Sequence, residues 1–207
     1  MSLEAELAHT SQRLYALGWM RGTSGNVSVR EGEGLLVTAS GVDKSSVDAS
    51  HAVRVDLSGA PRVGQLHSPS AEARVHAAIL DAAGAEAAVH VHALSSVVAA
   101  ARWPDGVPLR DVEQLKGIGR GADGDRVLVP VVANSQDMAQ LSERVVEAMD
   151  TGVPCVIVAE HGLYAWGASL GEAVERTESL DWLFEYALRL DALHRVGQND
   201  ATAQEDR

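Results

Sequence analysis

A single-domain, mixed α/β layer fold is what this sequence predicts, and three observations carry that reading. Short apolar or alternating runs interleave with stretches of three-to-four hydrophobic spacing, the pattern of a sheet covered by helices. Two early strand-like runs are separated only by the turn Glu31, Gly32, Glu33 and Gly34, so the sheet cannot be purely parallel. The chain has 207 residues, 46% of them hydrophobic, with no internal repeat and no interdomain linker, which suits one core. The domain is expected over residues 1–196, and the polar segment 197–207 as a disordered tail.

The elements follow in order. Leu3, Leu7, Thr10, Leu14 and Leu17 recur at helical spacing, and Gly18 closes that first helix. Residues 21–26 form a glycine-rich turn, 27–30 and 35–38 a hairpin, and 52–57 a third strand. A helix is expected from Pro69 and Ser70 to Leu80, with proline in its first turn and Glu72 where the helix dipole favours an anion. The apolar run 87–93 reads as a buried strand and 95–103 as a short alanine-rich helix. Residues 104–124 read as irregular apart from a turn at 113–116, and 126–132 as one strand. An amphipathic helix over 135–150 presents Met138, Leu141, Val145 and Met149 on one face. A strand at 155–159 and a long helix at 169–194 complete the pattern.

Composition removes several classes of function. Aromatic residues make up 4%, so the core must be built from Ala, Val and Leu. The net charge of −12 argues against non-specific nucleic-acid binding, because a phosphate backbone would be repelled. No apolar run is long enough to cross a membrane, and the first residues carry neither a basic nor an apolar leader segment. The single Cys155 lies in an apolar run, which suits a reducing cytoplasm.

The chemistry concentrates at His90, Val91 and His92. Residues i and i+2 of a strand face the same side, which sets the two imidazoles roughly 6–7 Å apart along the chain. Such a pair can share one metal ion, or can be a hydrogen-bonded pair in the core. His161 ends a second apolar run and is followed by Gly162, so two strands can deliver three histidines to one point. Three protein ligands and one open position are the usual arrangement of a catalytic zinc site. Around them lie small, hydroxyl-rich turns: Gly22 to Asn26, Ser40 with Gly41, and Ser70 at a helix start. Each alone reads as an ordinary turn or cap, while together they form a plausible anion cradle. Lys44 and Lys116 are its candidate counter-charges, although lysines of this kind are usually solvated. Glu72 and Glu113 are the candidate acid/base carboxyls. His76, one turn after Glu72, reads as a supporting residue, and His9, His51, His67 and His194 as surface residues. Tyr164 and Trp166 share a face and either wall a pocket or pack.

Taken in order, Gly22 to Asn26, Thr38 to Gly41, Pro69 to Glu72, His90 to His92 and His161 with Gly162 resemble the class II aldolase/adducin family over most of the chain. The resemblance implies a three-layer αβα fold with a mainly antiparallel central sheet. It implies one Zn2+ per subunit on His90, His92 and His161, and a homotetramer with active sites between subunits. Three further segments, Glu113 to Gly117, His161 to Gly167 and Asp181 to Glu185, resemble the branch that dehydrates a pentulose phosphate in methionine salvage. A sugar-phosphate aldolase, a pentulose-phosphate 4-epimerase and a non-catalytic adducin-like module are the alternatives. By resemblance, Glu113 is the general acid/base with Glu72 secondary, and Asn26, Ser40, Gly41 and Ser70 hold the phosphate. The chain departs from the aldolase pattern at Ala71, where a second serine is common, and at Ala159 and Glu160, where Arg and Gly are common.

Overall fold

The structure, a computed structural model, describes the backbone of residues 1–205 and the side chains through Arg195. Among the described residues, nine strands form two sheets. The central sheet has the order β3 (Ala52–Asp56), β2 (Gly34–Thr38), β1 (Asn26–Glu31), β4 (Ala87–Val91), β9 (Gly162–Gly167), β8 (Cys155–Val158) and β7 (Val131–Val132). Every neighbouring pair is antiparallel except β7 with β8, so the mainly antiparallel expectation holds. A separate hairpin joins β5 (Val107–Arg110) to β6 (Arg126–Val129).

Helices cover both faces. On one side α1 (Leu3–Ala16), α3 (Leu94–Arg102) and α5 (Leu170–Glu205) pack Leu7, Leu14, Ala99, Leu180, Leu183 and Phe184 against Val27, Val89, Val91, Ile157 and Leu163. On the other, α2 (Ala73–Ala83) and α4 (Met138–Ala148) pack Val75, Ile79, Leu80, Leu141 and Val145 against Leu35, Val37, Ala88, Val156 and Tyr164. Each fully buried aliphatic side chain contributes about 1.5–3 kcal/mol of transfer free energy. The central strands are buried on both faces, so β4 and β8 read as continuous apolar runs. No described helix is long and apolar enough to cross a membrane.

Several boundaries differ from expectation for physical reasons. The helix expected from Pro69 begins only at Ala73, with Glu72 at its N-cap. Pro69 instead bridges Ala39, Ser40 N–H donates to Ser68 O and Ser70 N–H donates to Thr38 O. Residues 68–70 are therefore held extended along the end of β2. The run 126–132 is two strands in two sheets, divided at Pro130. Residues 104–124 contain β5, whose alternating burial at Val107 and Leu109 is masked by Pro108, and a 3-10 turn at Glu113–Ile118. The fourth helix starts at Met138 because Asp137 caps it, accepting from Ala139 N–H and Gln140 N–H. The expected tail 197–207 is helical in backbone as far as Glu205, and residues 206–207 lie outside the described residues.

Between β8 and β9 the chain reverses through Ala159, Glu160 and His161, and Glu160 takes a left-handed φ of 58° with an exposed side chain. A side chain there costs about 1–2 kcal/mol of backbone strain that glycine lacks, offset in part by glycine's greater freedom in the unfolded chain. Glu160→Gly should therefore stabilise the protein by roughly 0.5–1 kcal/mol. Glu160→Ala, which removes the charge but keeps the Cβ, should stay close to wild type. Urea unfolding midpoints check this, and equal stabilisation by Ala would assign the effect to charge instead.

Candidate metal centre

The register of three strands builds the floor of the site. His90 on β4 lies opposite Asn26 on β1 and opposite Tyr164 on β9, so the three side chains form one row on the α2 face. His92 stands just past the end of β4, on the same face as His90, with its N–H donated to Trp19 O at 2.9 Å. His161 arrives from the β8–β9 turn. Its approach requires Gly162: a Cβ there would lie 2.1 Å from Val91 O and 3.2 Å from His92 Cα.

The three ring nitrogens converge. His90 Nε2 is 3.1 Å from His92 Nε2 and 3.3 Å from His161 Nε2, and among the described residues this is the group of three side chains able to hold a metal. Zinc–nitrogen bonds of about 2.0–2.1 Å in a tetrahedron set the ligand nitrogens roughly 3.3–3.4 Å apart. His90 Nδ1 lies 3.0 Å from Leu163 O, which places its proton on Nδ1 and leaves Nε2 bare toward the other rings. Burial, with neighbouring His161, pushes His90 below its ordinary pKa although Glu72 opposes this, and burial with His90 takes His92 to about 4. Bare nitrogens packed at this distance repel unless a cation sits among them, so the donor set fits a divalent metal.

Glu72 completes the cluster. Its Oε2 is 3.4 Å from His90 Nε2 and its Oε1 3.4 Å from His161 Nε2. Burial alone would raise the Glu72 pKa, but His90, the Asn26 amide, His161 and the Tyr164 hydroxyl outweigh it and hold the carboxyl at about 2. Asn26 Nδ2 donates to Oε2 at 2.6 Å and Tyr164 Oη donates to Oε1 at 2.9 Å. Tyr164 also stacks on the His90 ring at 4.2 Å between centroids.

A cleft of about 250 Å³ opens beside the histidines, lined by Asn26, Ser40, Gly41, Lys44, Ser70, Glu72, His92 and His161 among others. Larger hollows of about 540 and 570 Å³ lie elsewhere and include none of these residues. Lys44 is the surprise of the cleft. It is 1% exposed, not a solvated surface lysine. Its Nζ donates to Thr23 O at 3.0 Å and Val42 O at 2.9 Å, and its N–H to Gly22 O, tying the two glycine loops together. Burial lowers its pKa despite Asp43.

Two expected site residues lie elsewhere in the subunit. Glu113 and Lys116 sit on the 3-10 turn that packs on α5, across the sheet from Glu72, and neither lines the cleft. The turn is seated by Gln114 Nε2 donating to Ser179 Oγ and by Gly117, whose Cβ would lie 2.1 Å from that oxygen. The Glu113 side chain is left 78% exposed and paired with Lys116. Spacing in the sequence could not reveal which face of the sheet this loop joins. Sequence reasoning left Tyr164 open between pocket wall and packing, and did not assign Ser135 and Gln136 to the site. For Tyr164 the signal existed in its alternation with Trp166. His76 is buried as a supporting residue, and His51 stacks on His67 at 4.8 Å, away from the cleft.

Comparison with known proteins agrees with this geometry. The family model described as Class II Aldolase and Adducin N-terminal domain matches residues 5–188. Methylthioribulose-1-phosphate dehydratase of Methylococcus capsulatus is 33% identical over 92% of this chain and 95% of its own length, and that of Persephonella marina 31% over 84% and 83%. A probable bifunctional methylthioribose-1-phosphate isomerase/methylthioribulose-1-phosphate dehydratase of Nocardia farcinica is 37% identical over 92% of this chain, which spans only 36% of that protein. Among solved structures, l-fuculose-1-phosphate aldolase from Thermus thermophilus superposes with a TM-score of 0.71 at 26% identity, covering 95% of this chain and 99% of its own.

Burial also makes the site acid-labile. Burial, with His90, holds His76 neutral down to about 3 against Glu72, and His92 to about 4, whereas the unfolded rings protonate near 6.5. Between these values the unfolded chain binds more protons, so stability is complete above pH 6.5 and declines as pH falls. The urea midpoint of metal-free protein should fall between pH 7.5 and 5, and less steeply in His76→Gln. A midpoint that is flat or rises on acidification contradicts this.

Proposed function

This chain belongs to the class II aldolase and adducin family, and from that premise we propose that it is a metal-dependent methylthioribulose-1-phosphate dehydratase. It would convert 5-methylthioribulose 1-phosphate to 2,3-diketo-5-methylthiopentyl 1-phosphate and water, a hydro-lyase step of methionine salvage. The observation that carries the reading is the convergence of three imidazole nitrogens at 3.1 and 3.3 Å beside an ionised carboxylate. Relatives bearing the dehydratase name over most of their length supply the substrate class. The isomerase activity named for the bifunctional relative is not carried over.

His90, His92 and His161 would hold the metal, zinc in our reading. Bound there, it would supply Lewis-acid polarisation of the substrate carbonyl and the neighbouring hydroxyl. Asn26, Ser40, Gly41 and Ser70 would receive the phosphate through backbone and side-chain donors. Lys44 has three ammonium protons and spends two on Thr23 O and Val42 O, leaving one and a buried positive charge for the anion. Glu72 is held as a carboxylate and orients the metal-side groups. Glu113 would take the C3 proton or protonate the departing C4 hydroxyl. Because it is exposed and remote from its own cleft, it would do so in the cleft of a neighbouring copy, within the homotetramer we also propose. Lys116 would accompany it there. The single buried Cys155 suits a cytoplasmic enzyme.

Incubation with methylthioribulose 1-phosphate, fuculose 1-phosphate and ribulose 5-phosphate tests the substrate. The expected product is the diketone from the first, abolished by chelation with the fold intact and restored by Zn2+. Turnover of fuculose 1-phosphate alone would make the protein an aldolase, a reading the Thermus structure keeps open.

Glu113→Gln should lower kcat by about 10²–10⁴. Mixing inactive Glu113→Gln with inactive His92→Ala subunits should restore roughly a quarter of wild-type activity, since hybrids then contain sites with both groups intact. No recovery on exchange of subunits would place Glu113 outside a neighbour's site.

A further inference from the structure

Behind the metal centre, Asn26 and Glu72 are tied into a buried chain of hydrogen bonds whose far members, His76 and Ser28, the proposed chemistry does not use. Asn26 and Ser28 lie two residues apart on β1 and face α2 together. His76, in the first turn of α2, sits over both: its Nδ1 is 2.7 Å from Ser28 Oγ, and its Nε2 contacts Asn26 Oδ1. Asn26 then reaches Glu72, which Tyr164 clamps from the other side. His76 and Ser28 are fully buried.

The proton positions in this chain have one consistent solution. An ionised carboxylate only accepts, so Asn26 must present its NH2 to Glu72. Its Oδ1 therefore faces His76, which must donate from Nε2. Nδ1 is then bare and accepts the Ser28 hydroxyl proton. Turning the Asn26 amide over would set its oxygen against the Glu72 carboxylate, a buried clash that neither tautomer of His76 relieves.

We propose that His76 is a positioning residue, which locks the Asn26 amide through an Nε2–H tautomer and thereby aims the Glu72 carboxylate at His90 and His161. The role extends the Proposed function and rests on its metal site, but not on the identity of its substrate. His76 touches neither metal nor substrate and acts through Asn26 alone. Outer partners of this kind typically govern 10–100-fold in metal affinity.

The test has two arms. In metal-free protein, 15N–1H correlation of the ring nitrogens should find His76 protonated at Nε2 and bare at Nδ1; an Nδ1–H tautomer overturns the proposal, whatever the enzyme acts on. In the second arm, Zn2+ affinity is measured by chelator competition for wild type, His76→Phe, Asn26→Ala and the double variant. Each single variant should weaken binding about tenfold, with the double variant no weaker than Asn26→Ala. His76→Gln, which keeps a donor near the Nε2 position and folds if Phe does not, should stay within about threefold of wild type. Additive losses, or a Gln variant as weak as Phe, would make His76 a packing residue and overturn the assignment. Wild-type protein that binds no Zn2+ would sink the Proposed function, while the tautomer arm still decides the role of His76.

Discussion

The position of β4 between β1 and β9 is the constraint on which the site depends. Opposition of Asn26, His90 and Tyr164 sets an amide, an imidazole and a phenol in one row on the α2 face. A slip of one residue in either pairing would turn His90 toward the α5 face and replace it with Val89 or Val91. The hydrophobic pattern forbids that slip, because Val89 and Val91 are fully buried against α3 and α5 while Ala88 is buried beneath α2. The same burial that fixes the register desolvates the histidines. Packing and chemistry are thus one constraint: the core that stabilises the sheet also lowers the pKa of His90 and His92 by burial.

Glycine supplies the complementary freedom at one point. His161 can meet His90 only because Gly162 lets the β8–β9 turn lie against the end of β4, with no room for a Cβ before Val91 O. The neighbouring Glu160 pays for the same turn with left-handed backbone. This accounts for glycine being common at that position in the resembled family, and for the departure here being tolerated: the Glu160 side chain points to solvent, so its cost is local.

Much of this was legible in the sequence, and the failures have physical causes. Strand periodicity places His90 and His92 on one face, and the apolar run before His161 brings a second strand to them. The glycine loops at 22–26 and 40–41 do meet at one cleft, together with Ser70. At Pro69, backbone pairing of residues 68–70 with 38–40 outweighs proline's preference for a helix's first turn, since two backbone hydrogen bonds compete with a propensity of a fraction of a kcal/mol. Lys44, a candidate counter-charge in the sequence, does line the cleft, but its burial was not legible, because it depends on the Thr23 carbonyl of another loop. The placement of Glu113 was not readable, because nothing local to residues 104–124 states which face of the sheet they cover.

In our reading the two carboxylates divide their labour by environment. Glu72 is enclosed by donors from Asn26 and Tyr164 and faces two imidazoles, and every proton in its surroundings is already committed to holding it as an anion. A group so stabilised makes a poor proton donor near neutral pH, since protonating it forfeits both hydrogen bonds at once. It is suited to orienting and to balancing charge. Proton transfer calls for a carboxyl that is not clamped by donors on both oxygens, and Glu113 stands exposed on a turn seated against α5, paired with Lys116. What Glu113 lacks in its own subunit is proximity. In our reading assembly supplies it, so the chemistry of the site and the association of the subunits become one question.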